Sequence, residues 1–138
     1  MALNFAHHSS VTTDLQALIS ARHPADEAIQ LQRLGSHVFH PQADEVAGES
    51  AMTAEDRYGA LLDIWHNLQQ RAPQQTLIRA YNPDSQQDHW HNSHSVIEIV
   101  MDDMPFIVAS CATELARQGL SIHRQIYPIY RVQRDDQG

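Results

Sequence analysis

The sequence predicts an α+β fold, with N-terminal helices packed on a small mixed sheet, and three observations carry that prediction. Apolar residues recur at helical spacing through the first half of the chain. Two strand-like runs follow, Thr76–Tyr81 and Ser95–Met101, and the second opens a strand, helix, extended-run succession that ends near Val132. Residues 1–52 read as a generic helical segment, and residues 53–138 as a long helix followed by that strand-helix-strand unit.

The elements are justified in turn. Met1–Val11 is polar and expected to fray. A short helix can start near Thr13 or Asp14, with Leu15, Leu18 and Ile19 on its apolar face and Pro24 as its limit. A second can run from Ala25 to Leu34 before Gly35 interrupts it. Phe39–Ser50, with Pro41 and Gly48, reads as a loop or weak helix. Thr53 then opens the best helix, because its hydroxyl can cap the first turn while Asp56 reaches back as in a capping box. Tyr58, Leu61, Leu62, Trp65 and Leu68 form its stripe, and it ends near Ala72 and Pro73.

Thr76–Tyr81 alternates and can be a half-buried strand. Asn82, Pro83 and Asp84 turn the chain into a polar loop. In Ser95–Met101, Val96, Ile97, Ile99 and Val100 leave Glu98 as the only charge, the pattern of a strand covered on one face. Asp102 or Asp103 is placed to cap the next helix, and Pro105 suits a first turn that has no donor to lose. Val108, Cys111, Ala112 and Leu115 share that helix's apolar face. Gly119 can take the left-handed conformation that closes it, with Leu120 folding back. Ile122–Val132 is a second extended run, and Asp135–Gly138 has the composition of a hairpin turn. That turn predicts a further strand in a longer protein, and one sheet edge in need of cover.

Composition narrows the function. The chain has 138 residues, 42% apolar, enough for one domain with a core. A formal charge of −8 argues against nucleic acid, whose phosphates call for cations. The lone Cys111 excludes an internal disulfide framework and suits a reducing compartment. No run approaches the length of a membrane span, so the expected location is cytoplasmic. The five glycines are scattered and form no phosphate-cradling loop.

Three histidines, His89, His91 and His94, are weak candidates for a metal, because alternate residues of an extended segment point the same way. The rival is a histidine-rich polar loop at no recognised ligand spacing. Trp65, Tyr58 and Trp90 read as packing anchors, and Cys111 as a small buried hydrophobe.

The run SVIEIVMDDMPFIVASCATELARQGLSIHRQIYPIYRVQRD resembles the opening ACT-like (ferredoxin-like) domain of the large bacterial NAD-specific glutamate dehydrogenases. AEDRYGALLDIWHNLQQRAP and LIRAYNPDSQQDHWHNSHS resemble the segment before it, so the resemblance covers Ala54–Gly138. The chain departs from the family pattern at Ala109, where an aspartate is usual. The resemblance implies a parent enzyme that uses NAD, with an active site that depends on lysines and on a nucleotide-binding domain. All nine basic residues here are arginine, so this region is expected to be non-catalytic and to hold no cofactor.

The resemblance also implies that the acidic loop Asp102, Asp103, Met104, Pro105 and Phe106 lines a small-molecule site at a domain or subunit interface, and an amino acid would suit it physically. Helix N–H groups attract a carboxylate, and an aspartate attracts an ammonium. The rival is that the aspartates only cap and Phe106 only fills the core. Expected partners are the rest of the parent chain, further copies of it and an effector amino acid. A free-standing sensor, a purely structural oligomerisation module and a metal-dependent enzyme are the alternatives.

Overall fold

The computed structural model describes residues 6–39, 52–69 and 71–133, with side chains from Thr13 onward. The elements are α1 (Ala6–Arg22), α2 (Ala25–Val38), α3 (Ala54–Gln69), β1 (Leu77–Tyr81), β2 (Val96–Val100) and α4 (Ile107–Arg117). The α+β class stands. Predicted features at residues 1–5, 40–51 and 134–138, including the Asp135–Gly138 turn, lie outside the described residues.

The first three helices pack on one another, and α3 also meets β2. Their shared core is Leu15 and Ile19 of α1, Ala28, Leu31, Leu34 and Val38 of α2, and Ala60 and Leu61 of α3, with Phe39 and Trp90. Ile19, Leu31 and Leu61 are fully enclosed, each contributing roughly 1.5–3 kcal/mol by leaving water. Helix α1 starts at Ala6, earlier than Thr13, since neither proline nor glycine interrupts it before Arg22. Helix α2 follows Pro24 directly, with Asp26 and Glu27 in the turn where the backbone dipole favours acids.

Helix α3 begins with the predicted capping box. The Asp56 N–H donates to Thr53 Oγ1 at 3.1 Å, and Thr53 N–H and Oγ1 donate to Asp56 Oδ2 at 3.3 and 2.6 Å. Asp56 does more than cap, because its Oδ1 accepts the His91 N–H at 3.0 Å and so ties the distant polar loop to the start of α3. Burial pushes the Asp56 carboxyl up, but the bonds from Thr53 and His91 outweigh it and hold the group below the usual aspartate range.

β1 and β2 pair antiparallel, with Leu77 opposite Val100 and Tyr81 opposite Val96. Among the described residues the sheet is therefore purely antiparallel, not mixed, and has two strands. Residues 122–132 are assigned neither helix nor strand, so the second strand expected in the strand-helix-strand unit is not formed among the described residues. The physical reason is pairing: among the described residues β2 pairs only with β1, and residues 122–132 line the cleft beside it.

Gly59 fixes the approach of the polar loop to α3. A Cβ there would stand 2.6 Å from Trp90 Cβ and 3.1 Å from the His89 carbonyl oxygen. Gly59→Ala is therefore expected to lower stability by about 2–3 kcal/mol, read as a fall in the urea midpoint with a red shift of tryptophan emission. A midpoint unchanged within error would show that the loop is not held there.

Candidate functional site

The sheet docks on α3 through a face that mixes apolar and polar residues. Leu77, Arg79 and Tyr81 of β1 and Val96, Glu98 and Val100 of β2 are half-buried on that side. Glu98 accepts hydrogen bonds from Asn67 Nδ2 and from the Tyr81 hydroxyl, both at 2.6 Å. Asp63, one turn earlier on α3, accepts the Trp90 indole N–H at 2.9 Å and pairs with Arg79 at 3.2 Å. Arg79 also reaches Asp88 at 2.7 Å and lies 3.7 Å from the Tyr81 ring centre. Burial, then the bond to Glu98, raises the Tyr81 pKa. The opposite face carries Ile78, Ala80, Ile97 and Ile99, all exposed.

Beside β2 opens a cleft of about 1680 Å³. Its walls are the end of α2, one side of α3 from Asp56 to Leu68, Arg71 just beyond that helix, residues 90–95, the whole of β2, the apolar face of α4, and residues 120–132, with no residue of β1. Helix α4 is amphipathic, yet none of its residues is buried. Cys111, expected inside, is half-exposed on this wall.

The acidic loop does not cap α4, contrary to the sequence expectation. Phe106 occupies the cap position with a left-handed backbone, φ 68°, and no side chain bonds the free N–H groups. Asp102 instead pairs with Arg71, whose other nitrogen donates to the Gln75 carbonyl at 2.7 Å. Asp103 accepts the Tyr127 hydroxyl at 2.6 Å, a bond that raises the tyrosine's pKa. The long-range partners win because Arg71 and Tyr127 offer strong donors that local spacing cannot reveal. Asp102 and Asp103 line the cleft, whereas Met104, Pro105 and Phe106 do not. Phe106 is 81% exposed, so it does not fill the core. Pro105 precedes the cap and lies outside the first turn.

At the helix's other end the prediction holds. Gly119 has φ 77°, and the Leu120 and Gly119 N–H groups bond the carbonyls of Leu115 and Ala116 at 3.0 Å.

The histidines are not brought together as a trio. His89 has a left-handed backbone, φ 63°, which breaks the extended geometry that would align it with His91. His94 lies against His123 with ring centres 4.2 Å apart, and both line the cleft. Among the described residues no group of three His, Cys, Asp or Glu side chains is placed to hold a metal ion. The pairs Arg71–Asp102, Asp103–Tyr127 and His94–His123 are among the polar features of the cleft.

Fold and cleft thus define a small α+β module that presents an apolar, acid-rimmed groove. The chain matches the glutamate dehydrogenase ACT1 domain over residues 36–138, and it belongs to that family. It is 32% identical over 123 residues to the NAD-specific glutamate dehydrogenase of Halomonas elongata, covering 89% of this chain and 8% of that protein. It is 31% identical over 120 residues to the NAD-specific glutamate dehydrogenase of Pseudomonas aeruginosa, covering 86% of this chain and 7% of that one. The chain thus spans less than a tenth of the length of these relatives. No solved structure matches it. No helix of the described residues is long and apolar enough to cross a membrane.

The Tyr81 junction is testable by pH. Its folded pKa is raised above the unfolded value of 10.0, so its contribution is complete below pH 10 and is lost as pH climbs toward the folded value. Tyr81→Phe is expected to cost about 1–2 kcal/mol at pH 7 and to flatten the decline in stability above pH 10. Urea titrations of both proteins at pH 8, 10 and 11 check this, and parallel curves would contradict it.

Proposed function

We propose that this chain is a non-catalytic regulatory or assembly domain in the N-terminal part of an NAD-dependent glutamate dehydrogenase. The parent enzyme would convert L-glutamate, NAD and water to 2-oxoglutarate, ammonia and NADH. Family membership carries this reading, together with the small share of the relatives that the chain spans. A sequence with no lysine is consistent with a catalytic and NAD-binding centre elsewhere in the parent. The domain's own part would be played in the cytoplasm, within a homo-oligomer.

The regulatory mechanism follows from how the acidic loop is tied. Asp102 is joined to Arg71 at the end of α3, and Asp103 to Tyr127 of the extended run. An effector amino acid brings an ammonium and a carboxylate, the counterparts of these aspartates and of Arg71. Its binding would exchange internal pairs for ligand pairs, loosening the ties among α3, the loop and the 120–132 run. A ligand that favours one arrangement over the other shifts the parent between states only by that difference in affinity. Assembly has a surface in the apolar outer face of the sheet, where exposed Ile78 stands outside the cleft that Ile97 and Ile99 also line.

Calorimetric titration of the full-length enzyme with an amino-acid panel, run beside light scattering, tests both roles. One amino acid is expected to give heat that falls at least about tenfold in affinity in Asp103→Ala, the scale of one charge-assisted contact. Ile78→Asp is expected to lower the oligomer mass without removing that heat. Silence across the panel with a stable oligomer would leave assembly alone, and silence with an unchanged mass in Ile78→Asp would overturn both.

A further inference from the structure

We propose that the outer edge of β1 is an interface with a second copy of this chain, in which the two β1 strands pair antiparallel about a two-fold axis at Arg79. Such pairing rests on the assembly half of the proposed function and is independent of effector binding.

The edge is open and unguarded. β1 bonds β2 along one side, and its other side makes no backbone bond among the described residues. It also stands apart from the cleft, which no residue of β1 lines. A free row of N–H and C=O groups is a template for another strand, and edges that stay solitary are blunted with proline, bulges or outward lysine. Leu77–Tyr81 has none of these. Its register with β2 is unbroken from Leu77 opposite Val100 to Tyr81 opposite Val96, and its one charge, Arg79, is turned toward Asp63 of α3.

The side chains of β1 also suit one another under a two-fold. With Arg79 at the axis, Ile78 of each copy stands opposite Ala80 of the other on the outer face, large against small, and Leu77 stands opposite Tyr81 on the inner face. Ile78 is 68% exposed in a single copy and would gain an apolar neighbour there. Arginines opposite each other repel when unpaired. Here each guanidinium already has two carboxylates, Asp63 at 3.2 Å and Asp88 at 2.7 Å, so each copy brings two acids for one cation and the axis carries surplus negative charge to meet both arginines. A two-stranded sheet is marginal in water, and the pairing would join two of them into one continuous sheet. Because the same edge is used by both copies, the contact closes as a dimer and leaves no β1 edge to propagate.

The test uses the full-length protein with benzoylphenylalanine in place of Ile78, prepared as a mixture of unlabelled and nitrogen-15 chains. Irradiation is expected to give mixed-isotope adducts whose second peptide contains residues 77–81 of the other chain. Hydrogen exchange on the unsubstituted protein is expected to show the β1 amides not bonded to β2 slowed at least about a hundredfold relative to open chain, a protection lost in Ile78→Asp. Mixed-isotope adducts at Ile97 or Ile99, with free exchange along the β1 edge, would overturn the edge pairing and leave assembly through the sheet's outer face. Adducts only within single-isotope chains would overturn it in favour of another segment of the same polypeptide. A monomer by light scattering would overturn both the pairing and the assembly reading.

Discussion

Trp90 resting on the bare backbone of Gly59, with its indole N–H on Asp63, is the contact from which the rest of the arrangement follows. It brings a loop that starts after β1 down onto the middle of α3, and a side chain at Gly59 would forbid that approach. Once the loop is seated, the His91 N–H reaches Asp56 at the helix start, and β2 leaves the loop at a fixed height along α3. The register of β2 against β1 then puts Glu98 opposite Arg79 and within reach of Asn67. Burying an aromatic this size also contributes more apolar area than any neighbour on that face of the core.

The face of the sheet toward α3 is consequently mixed. Glu98, Arg79 and Tyr81 lie on it beside Leu77, Val96 and Val100, and its isoleucines face outward. Partly buried carboxylates are tolerable there because each has donors: Asp63 the Trp90 N–H and Arg79, Glu98 the Asn67 amide and the Tyr81 hydroxyl. Such a junction is directional, so the sheet cannot slide on the helix without leaving charges unpaired. An apolar interface would give comparable affinity with less definition of register.

Local features of this fold were legible in the sequence, and non-local ones were not. The Thr53–Asp56 box and the Gly119 stop depend on residues three to five apart, and both formed as read. The stripes of α2 and α3 are likewise local, and Leu31, Leu34 and Leu61 are buried. The α4 cap failed because Asp102 and Asp103 bond residues 31 and 24 positions away. Asp63 escaped notice for the same reason, since its partner Trp90 is 27 residues on. The histidine alignment assumed extended backbone through His89, which is left-handed. For the candidate site, the two aspartates were legible, but Arg71, Tyr127 and His123 carried no local signal.

The failed cap is also informative about α4. A helix whose first turn is entered through an exposed phenylalanine at φ 68°, without a side-chain acceptor, forgoes roughly 1 kcal/mol of capping and adds backbone strain. Its amphipathic face is not enclosed among the described residues either, so neither a cap nor burial there accounts for its stability. The two aspartates that could have capped it instead tie the loop to Arg71, just beyond α3, and to Tyr127, so the helix start gives up its local acceptors to bonds that fix the loop's position.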